Sequence, residues 1–417
     1  MHTNRPELTF ETGMVISLGG SGENGRNCFC FQTKNGKVLL DCGVKRELDK
    51  PEEVYPELSE GLVRELDAVL LTHCHEDHSA ALPLLYALGY RGKVYASQET
   101  IDATPAMIRK WMRYVRERGG MLPYDERHVQ AIRFEALHRG RNEVGRFTVL
   151  AGRSGHTVGS LWYAIGWEHM GLWPLFYSGD MCLCSATLAA DPPPRCMAAV
   201  LNSAYAARVL DQEAQYKALR GLAEKTVQQN GHLLLPVPAQ GRGCDMLLDL
   251  THNLGDIPIW AEESIVTNCL ALLENKSWIH GGLTEARALS RVRCIRTEQE
   301  RKAACDAPHG VYLTTDGMLT TSEGLYYLKR FAHQRENSLV ISGHAAHGTP
   351  AALAADMDWR KENDVQMQWY RNVIKVHLDF EDVLHMCAQL GTKQIMLFHA
   401  PLEECVGLQE AIRTMNV

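Results

Sequence analysis

No run of the 417-residue sequence approaches the ~20 consecutive apolar residues of a membrane-spanning helix, which excludes a helical membrane protein. The opening Met1-His2-Thr3-Asn4-Arg5-Pro6 lacks the apolar core of a secretory signal. The cysteines, thirteen and therefore odd in number, show no paired Cys-x-x-Cys framework. That argues against a disulfide scaffold and for buried thiols in a reducing compartment, so a cytoplasmic protein is expected. Basic charge is not in excess either. The net charge of −7 excludes nucleic-acid binding over the whole surface but leaves room for a local basic groove. What remains, 22% charged and 45% hydrophobic residues, is ordinary for a globular chain, and the length suffices for two sizeable cores.

Residues 72–78 read Thr-His-Cys-His-Glu-Asp-His. They follow an apolar, strand-like run, Ala68 to Leu71, and precede a helix-like stretch, Ala80 to Leu88. His73, His75, Asp77 and His78 therefore fall on one tight strand-to-helix turn, where four side chains converge without needing length. Neutral imidazoles serve one metal ion, and a carboxylate with a third imidazole serves a neighbour; these donors suit zinc. A lone His-x-His is usually a satisfied or exposed pair, whereas the whole string at one turn reads as a metal site. Cys74 and Cys182 flank the candidate ligands, and packing is the plainer reading of both.

The spacing resembles that of the metallo-β-lactamase superfamily, and further strings carry the resemblance along the chain. Val38-Leu39-Leu40-Asp41-Cys42-Gly43 supplies an Asp after an early strand. Gly155-His156-Thr157-Val158-Gly159-Ser160 supplies a histidine, and Phe176-Tyr177-Ser178-Gly179-Asp180 an aspartate after an aromatic strand. Ser17-Leu18-Gly19-Gly20-Ser21-Gly22-Glu23-Asn24-Gly25-Arg26 is similar to the glycine-rich start of that fold. It lacks the Gly-Lys-Ser/Thr ending of a phosphate-cradling loop, so a tight hairpin beside the site is expected.

After Asp180 the chain runs through the breaker cluster Asp191-Pro192-Pro193-Pro194 into about 180 residues of new pattern. Strand-like segments with polar or glycine turns at their C-terminal ends, Leu233–Arg242, Gly310–Met318 and Ser338–His344, alternate with helix-like stretches such as Asp245 to Leu250, which predicts a parallel α/β insert. Only beyond it do Val376-His377-Leu378-Asp379 and Leu397-Phe398-His399-Ala400 appear. This order resembles the β-CASP nucleases of the same superfamily, typified by RNase J and the cleavage-and-polyadenylation endonuclease. Pro236 to Asp245, Thr315 to Leu319 and Gly343 to Thr349 are similar to successive motifs of that family. The resemblance implies an α/β protein: a metallo-β-lactamase αββα sandwich (1–195 and 373–417) with a β-CASP insert at 196–372. With no further module after Val417, a compact two-domain member is expected.

The resemblance also implies site roles. His73, His75 and His156 would hold one Zn2+, and Asp77, His78 and His399 a second, with Mn2+ or Fe2+ as substitutes. Asp180 would bridge them and Asp41 would support a ligand from outside the coordination sphere. Two such ions acidify a bridging water and stabilise charge on a phosphoryl oxygen. His377 is the candidate general acid for the departing oxygen. A histidine at position 399 goes in the family with RNA, so a zinc ribonuclease, endonucleolytic, with single-stranded RNA as partner, is expected. A homodimer or accessory subunits are left open. A hydrolase of DNA or of a small thioester, and a non-catalytic subunit of an RNA-processing or defence complex, are the alternatives.

Two departures stand out. Asn202, in Val200-Leu201-Asn202-Ser203-Ala204-Tyr205-Ala206, occupies the place of a family carboxylate that partners the general-acid histidine. Asparagine carries no charge to support an imidazolium, so restoring an acid at 202 is expected to extend activity to higher pH. His344 likewise replaces a tyrosine. Basic stretches at Ile108–Arg118, with Arg109, Arg113, Trp111 and Tyr114, and at Arg287–Lys302, with Arg291, Arg293 and Arg296, are candidate RNA-binding surfaces. A solvated helix face is the plain alternative for each.

Overall fold

A computed structural model describes residues 6–48, 50–239, 241–281, 289–343, 345–346 and 348–416. Gln240, Arg287, His344, His347 and the first five residues lie outside this set. The chain divides into two compact units. One contains the chain up to Leu183, Ala190–Val209 and the chain from His377 onward; the other contains Cys184–Ala189 and Leu210–Val376.

The first unit is built on two sheets. Four antiparallel strands, Glu7–Phe10, Gly13–Gly19, Cys28–Thr33 and Gly36–Leu40, open a seven-stranded sheet. It continues in parallel through Ala68–Leu70, Val94–Ala96 and Phe134–Ala136. The second sheet has the order Ile395–Phe398, Arg195–Asn202, Leu172–Tyr177, Leu161–Ile165, Phe147–Arg153, Gly140–Val144. The sheets meet through buried rings: Phe29 lies 5.7 Å from Tyr177 and 5.4 Å from Phe398. Each outer face is covered by helices. Gln98–Glu117 sends Ile108, Trp111, Met112 and Val115 into one core at the i, i+3, i+4, i+7 spacing of an amphipathic helix. Phe380–Leu390 packs Val383, Met386, Cys387 and Leu390 into the other. This is the expected αββα sandwich.

The second unit carries a six-stranded sheet, and every pairing in it is parallel. Its order is Val292–Ile295, Ile259–Glu262, Gly310–Thr314, His232–Pro236, Ser338–Ile341, Gln368–Arg371. The central strands His232–Pro236 and Gly310–Thr314 are buried at every position, as a sheet covered on both faces requires. The predicted α/β insert is therefore present, but its limits differ from 196 and 372. Strand Arg195–Asn202 hydrogen-bonds between Leu172–Tyr177 and Ile395–Phe398, so it belongs to the sandwich.

Candidate metal centre

The site residues stand at the C-terminal ends of strands from both sheets. Asp41 follows Gly36–Leu40, the His73–His78 turn follows Ala68–Leu70, and His156 follows Phe147–Arg153. Asp180 follows Leu172–Tyr177, Asn202 ends its own strand, and His399 follows Ile395–Phe398. Asp41 and His399 have φ of +56° and +70°, in the left-handed region. Such residues cost about 1–3 kcal/mol and persist where surrounding contacts over-determine them. Here the Asp41 N–H donates to Leu70 O (2.9 Å) and the His399 N–H to Gly20 O (3.1 Å), fixing both reversals.

Two donor groups result. One is His73, His75, His156 and Asp180; the other is Asp77, His78, Asp180 and His399; within each, one donor atom per residue lies within 4.8 Å of all the others. In the first, His75 Nδ1 is 3.1 Å from His73 Nε2 and 3.3 Å from His156 Nε2, and Asp180 Oδ2 is 3.7 Å from each of those two nitrogens. In the second, His399 Nε2 is 3.2 Å from Asp77 Oδ2 and 3.6 Å from Asp180 Oδ2, while His78 Nε2 is 3.3 Å from Asp180 Oδ1. A tetrahedral ion with bonds of about 2.0–2.2 Å has donor–donor edges of roughly 3.3–3.6 Å. The residues present therefore fit a divalent metal, with nitrogen and carboxylate donors aimed at a common centre. Neither Cys74 nor Cys182 belongs to either group among the described residues.

Asp41 is fully buried and holds the second group from behind. Its carboxylate accepts hydrogen bonds from the Thr72 N–H (2.7 Å), the Thr72 hydroxyl (2.8 Å) and the Tyr177 hydroxyl (2.6 Å). His78 Nδ1 lies 2.6 Å from Asp41 Oδ2, so a proton shared there makes Nε2 the nitrogen that would face an ion. The turn itself is pinned by backbone bonds from Asn27 N to Asp77 O, Cys42 N to His78 O and Val44 N to Glu76 O. Gly43 allows that approach: a Cβ on it would lie 1.6 Å from Asp77 O.

Asn27, Thr72 and Tyr177 are not singled out as site residues by the sequence. Asn27 Nδ2 lies 3.2 Å from Asp77 Oδ2 and 2.9 Å from His78 Nε2. It directly follows the glycine-rich string, and that adjacency is the available signal. The string itself joins two antiparallel strands, as expected of a hairpin. Glu23 occupies it, accepting from Gly20 N–H (3.1 Å) and pairing with Arg26 (2.6 Å), which puts negative charge where a phosphate cradle would need donors.

His377 borders both groups. Its Nδ1 is 3.6 Å from Asp180 Oδ2, and its ring lies 4.9 Å from that of His156 and 5.0 Å from that of His399. Two residues later Asp379 caps the Phe380–Leu390 helix, which fixes the segment. Asn202 has a different neighbour from the one expected. Its Nδ2 donates to Asp180 Oδ1 (2.8 Å), and His377 Nδ1 has no hydrogen-bond partner among the described residues. An acid at 202 would face a second carboxylate, so restoring one there should bring no gain.

The groups also differ in protonation. Burial pushes His73 and His75 below the usual imidazole value. Burial also opposes protonation of His78 and His399, but carboxylates outweigh it. Asp180, Asp77 and Asp41 raise His78 well above the usual value, and Asp180 with Asp77 brings His399 up to about 9. Burial works against ionisation of Asp77 and Asp180 as well, yet the facing histidines hold both below the usual carboxylate range.

The candidate RNA-binding arginines have local partners. Arg109 pairs with Glu126 (2.6 Å) and Arg113 is exposed, while Trp111 is buried in the core instead of being offered for stacking. Arg291 lies 3.8 Å from Asp256, Arg296 lies 3.6 Å from Glu263, and Arg293 packs over the Trp260 ring at 4.9 Å. Solvent-exposed pairs of this kind are worth little and exchange readily for other anions.

Comparison with known proteins agrees with this geometry. Residues 21–166 match the metallo-β-lactamase superfamily. The transcription termination factor FttA of Methanocaldococcus jannaschii is 27% identical over 96% of this chain and 69% of its own length. The probable RNase MJ4 of the same organism is 27% identical over 79% of this chain and 78% of its own. The cleavage and polyadenylation specificity factor 73 of Drosophila melanogaster is 23% identical over 98% and 63%. Several archaeal termination factors are longer, and the chain spans 56–58% of them. Among solved structures, a protein of unknown function from Enterococcus faecalis V583 shares the fold, with a TM-score of 0.56, 13% identity and coverage of 94% and 96%.

Proposed function

The chain belongs to the β-CASP nucleases of the metallo-β-lactamase superfamily and is a metal-dependent hydrolase, and we propose that it is a zinc ribonuclease cutting single-stranded RNA internally. The observation that carries this reading is the sharing of Asp180 by two donor groups, which suits a pair of ions. His73, His75 and His156 would hold one Zn2+, Asp77, His78 and His399 the other, with Mn2+ or Fe2+ as substitutes. When bound, such ions would supply Lewis acidity to water and to the phosphoryl oxygens.

The chain's own residues do the rest. Asp41 fixes the His78 ring through Nδ1, and Asn27 steadies Asp77. His377, with its side chain 16% exposed and bordering both groups, is the candidate to protonate the departing ribose oxygen. RNA as substrate is supported by the names of the relatives, a probable RNase and a cleavage and polyadenylation factor, and by the presence of His399. The free state of all thirteen cysteines suits a reducing, cytoplasmic setting.

The test is to incubate zinc-loaded protein with internally and 5′-labelled single-stranded RNA, with the matching DNA, and with a generic thioester. Internal cuts in RNA alone are expected, abolished by chelation and restored by zinc. His377→Ala should lose about 10²–10⁴-fold on RNA but little on an ester with a good leaving group. Hydrolysis confined to DNA or the thioester, or unaffected by chelation, would sink the proposal.

A further inference from the structure

Asp180 is the one residue common to both donor groups, so the direction in which each of its oxygens points decides how the groups are joined. Oδ2 is the shared atom: it lies 3.7 Å from His73 Nε2, 3.7 Å from His156 Nε2 and 3.6 Å from His399 Nε2. Oδ1 lies 2.8 Å from Asn202 Nδ2 and 3.3 Å from His78 Nε2, a donor of the mixed group. A carboxylate left alone rotates about its Cβ–Cγ bond and can bridge through one oxygen or through two.

Asn202 removes that freedom. It is fully buried at the end of its strand, and its own N–H donates to Ser178 Oγ (2.9 Å), two residues before Asp180. The strand end and the Asp180 loop are thus tied twice, once through backbone and once through the amide. Its Oδ1 is buried and has no partner among the described residues, so nothing but the contact with Asp180 accounts for the polar end of this side chain. A buried amide acceptor left unpaired is a cost that a hydrophobic residue at 202 would avoid.

We infer that Asn202 is a positioning residue that locks the Asp180 carboxylate by donating to Oδ1, holding Oδ2 towards His73, His156 and His399. An aspartate at this position has nearly the same shape but reverses the polarity, placing one carboxylate oxygen against another. The inference rests on the two-ion reading above and concerns this chain's own side chains.

The experiment loads wild type, Asn202→Ala and Asn202→Asp with manganese and reads metal equivalents by mass spectrometry and spin coupling by electron paramagnetic resonance. Two Mn2+ sharing one oxygen couple magnetically, whereas ions released from that bridge give the full-intensity signal of isolated centres. Wild type is expected to take up two equivalents with a coupled spectrum. Both variants should bind at least one equivalent 10–100-fold more weakly and show a weaker coupling than wild type, with the aspartate at least as damaging as alanine. If Asn202→Asp fails to fold, Asn202→Ala, checked by its melting curve, carries the test alone.

Wild-type coupling and unchanged affinities in the variants overturn the role of Asn202 and leave the two-ion reading intact. Wild-type behaviour in Asn202→Asp with losses only in Asn202→Ala would also overturn it, because shape and not donation would then matter. Fewer than two ions, or no coupling, in the wild type overturns the two-ion reading and this inference with it.

Discussion

The two donor groups use similar ligands in different surroundings. His73 is fully buried and His156 nearly so, and burial holds His73 and His75 neutral. The other group has an open edge, with Asp77 and His399 side chains 24% and 18% exposed, and facing carboxylates raise its histidines, His399 to about 9. A neutral imidazole takes an ion without giving anything up, whereas a protonated one must first release its proton. Loading an ion into the mixed group is therefore expected to release protons, and loading one into the histidine-rich group to release fewer.

The harshest way to break this contrast is to remove what the groups share. Asp180→Ala should leave neither ion firmly held and cost far more activity than the roughly 100-fold ceiling for losing an outer hydrogen bond. Asp77→Ala should empty only the mixed group, so elemental analysis should find one equivalent remaining beside almost no hydrolysis. Two full equivalents in either variant would contradict the assignment.

Smaller and more selective is Asp41→Asn. It should weaken the ion at His78 by 10–100-fold and the histidine-rich group less, because Asp41 reaches His73 only through the Thr72 hydroxyl (3.1 Å), read as a split between two dissociation constants. Acidification should sharpen the contrast further. Because His399 is raised to about 9, the ion beside it should lose up to about tenfold in affinity per pH unit below that value for each proton displaced. The ion at His73, His75 and His156 should persist to lower pH, and simultaneous loss of both would erase the distinction. In chelated protein the sign reverses: the raised His399 stabilises the fold fully below the ordinary histidine value, and that contribution disappears as pH rises through about 9.

The mildest expectation concerns the inserted unit. Replacing Arg291, Arg293 and Arg296 with glutamine should weaken RNA binding and lower its salt slope by about one for each phosphate no longer neutralised. Metal content and hydrolysis of a small phosphodiester should be unchanged.

All seven donors are legible in the sequence because each sits in a short string just after a strand, where local chemistry and position coincide. Their supports are not. Tyr177 reaches Asp41 only because two sheets face each other, and Asn27 reaches Asp77 only because a hairpin folds over the turn. The edge of the insert is misleading for a similar reason. Arg195–Asn202 follows a proline cluster and reads as a new beginning, yet one of its partners is Ile395–Phe398, beyond the whole insert. Trp111 illustrates the opposite hazard: among arginines it reads as a stacking platform, but helical periodicity turns it inward.

Gly43 carries none of the chemistry and still governs it. The space its missing side chain leaves is filled by the carbonyl of Asp77, so even one methyl group there cannot coexist with the turn as it stands. Gly43→Ala would retain every metal-binding side chain in its sequence while displacing Asp77 and His78 from Asp41. An intact set of ligands is thus no certificate of a working centre, and the glycine two places after Asp41 is the first residue to inspect in any relative that looks complete but does not cut.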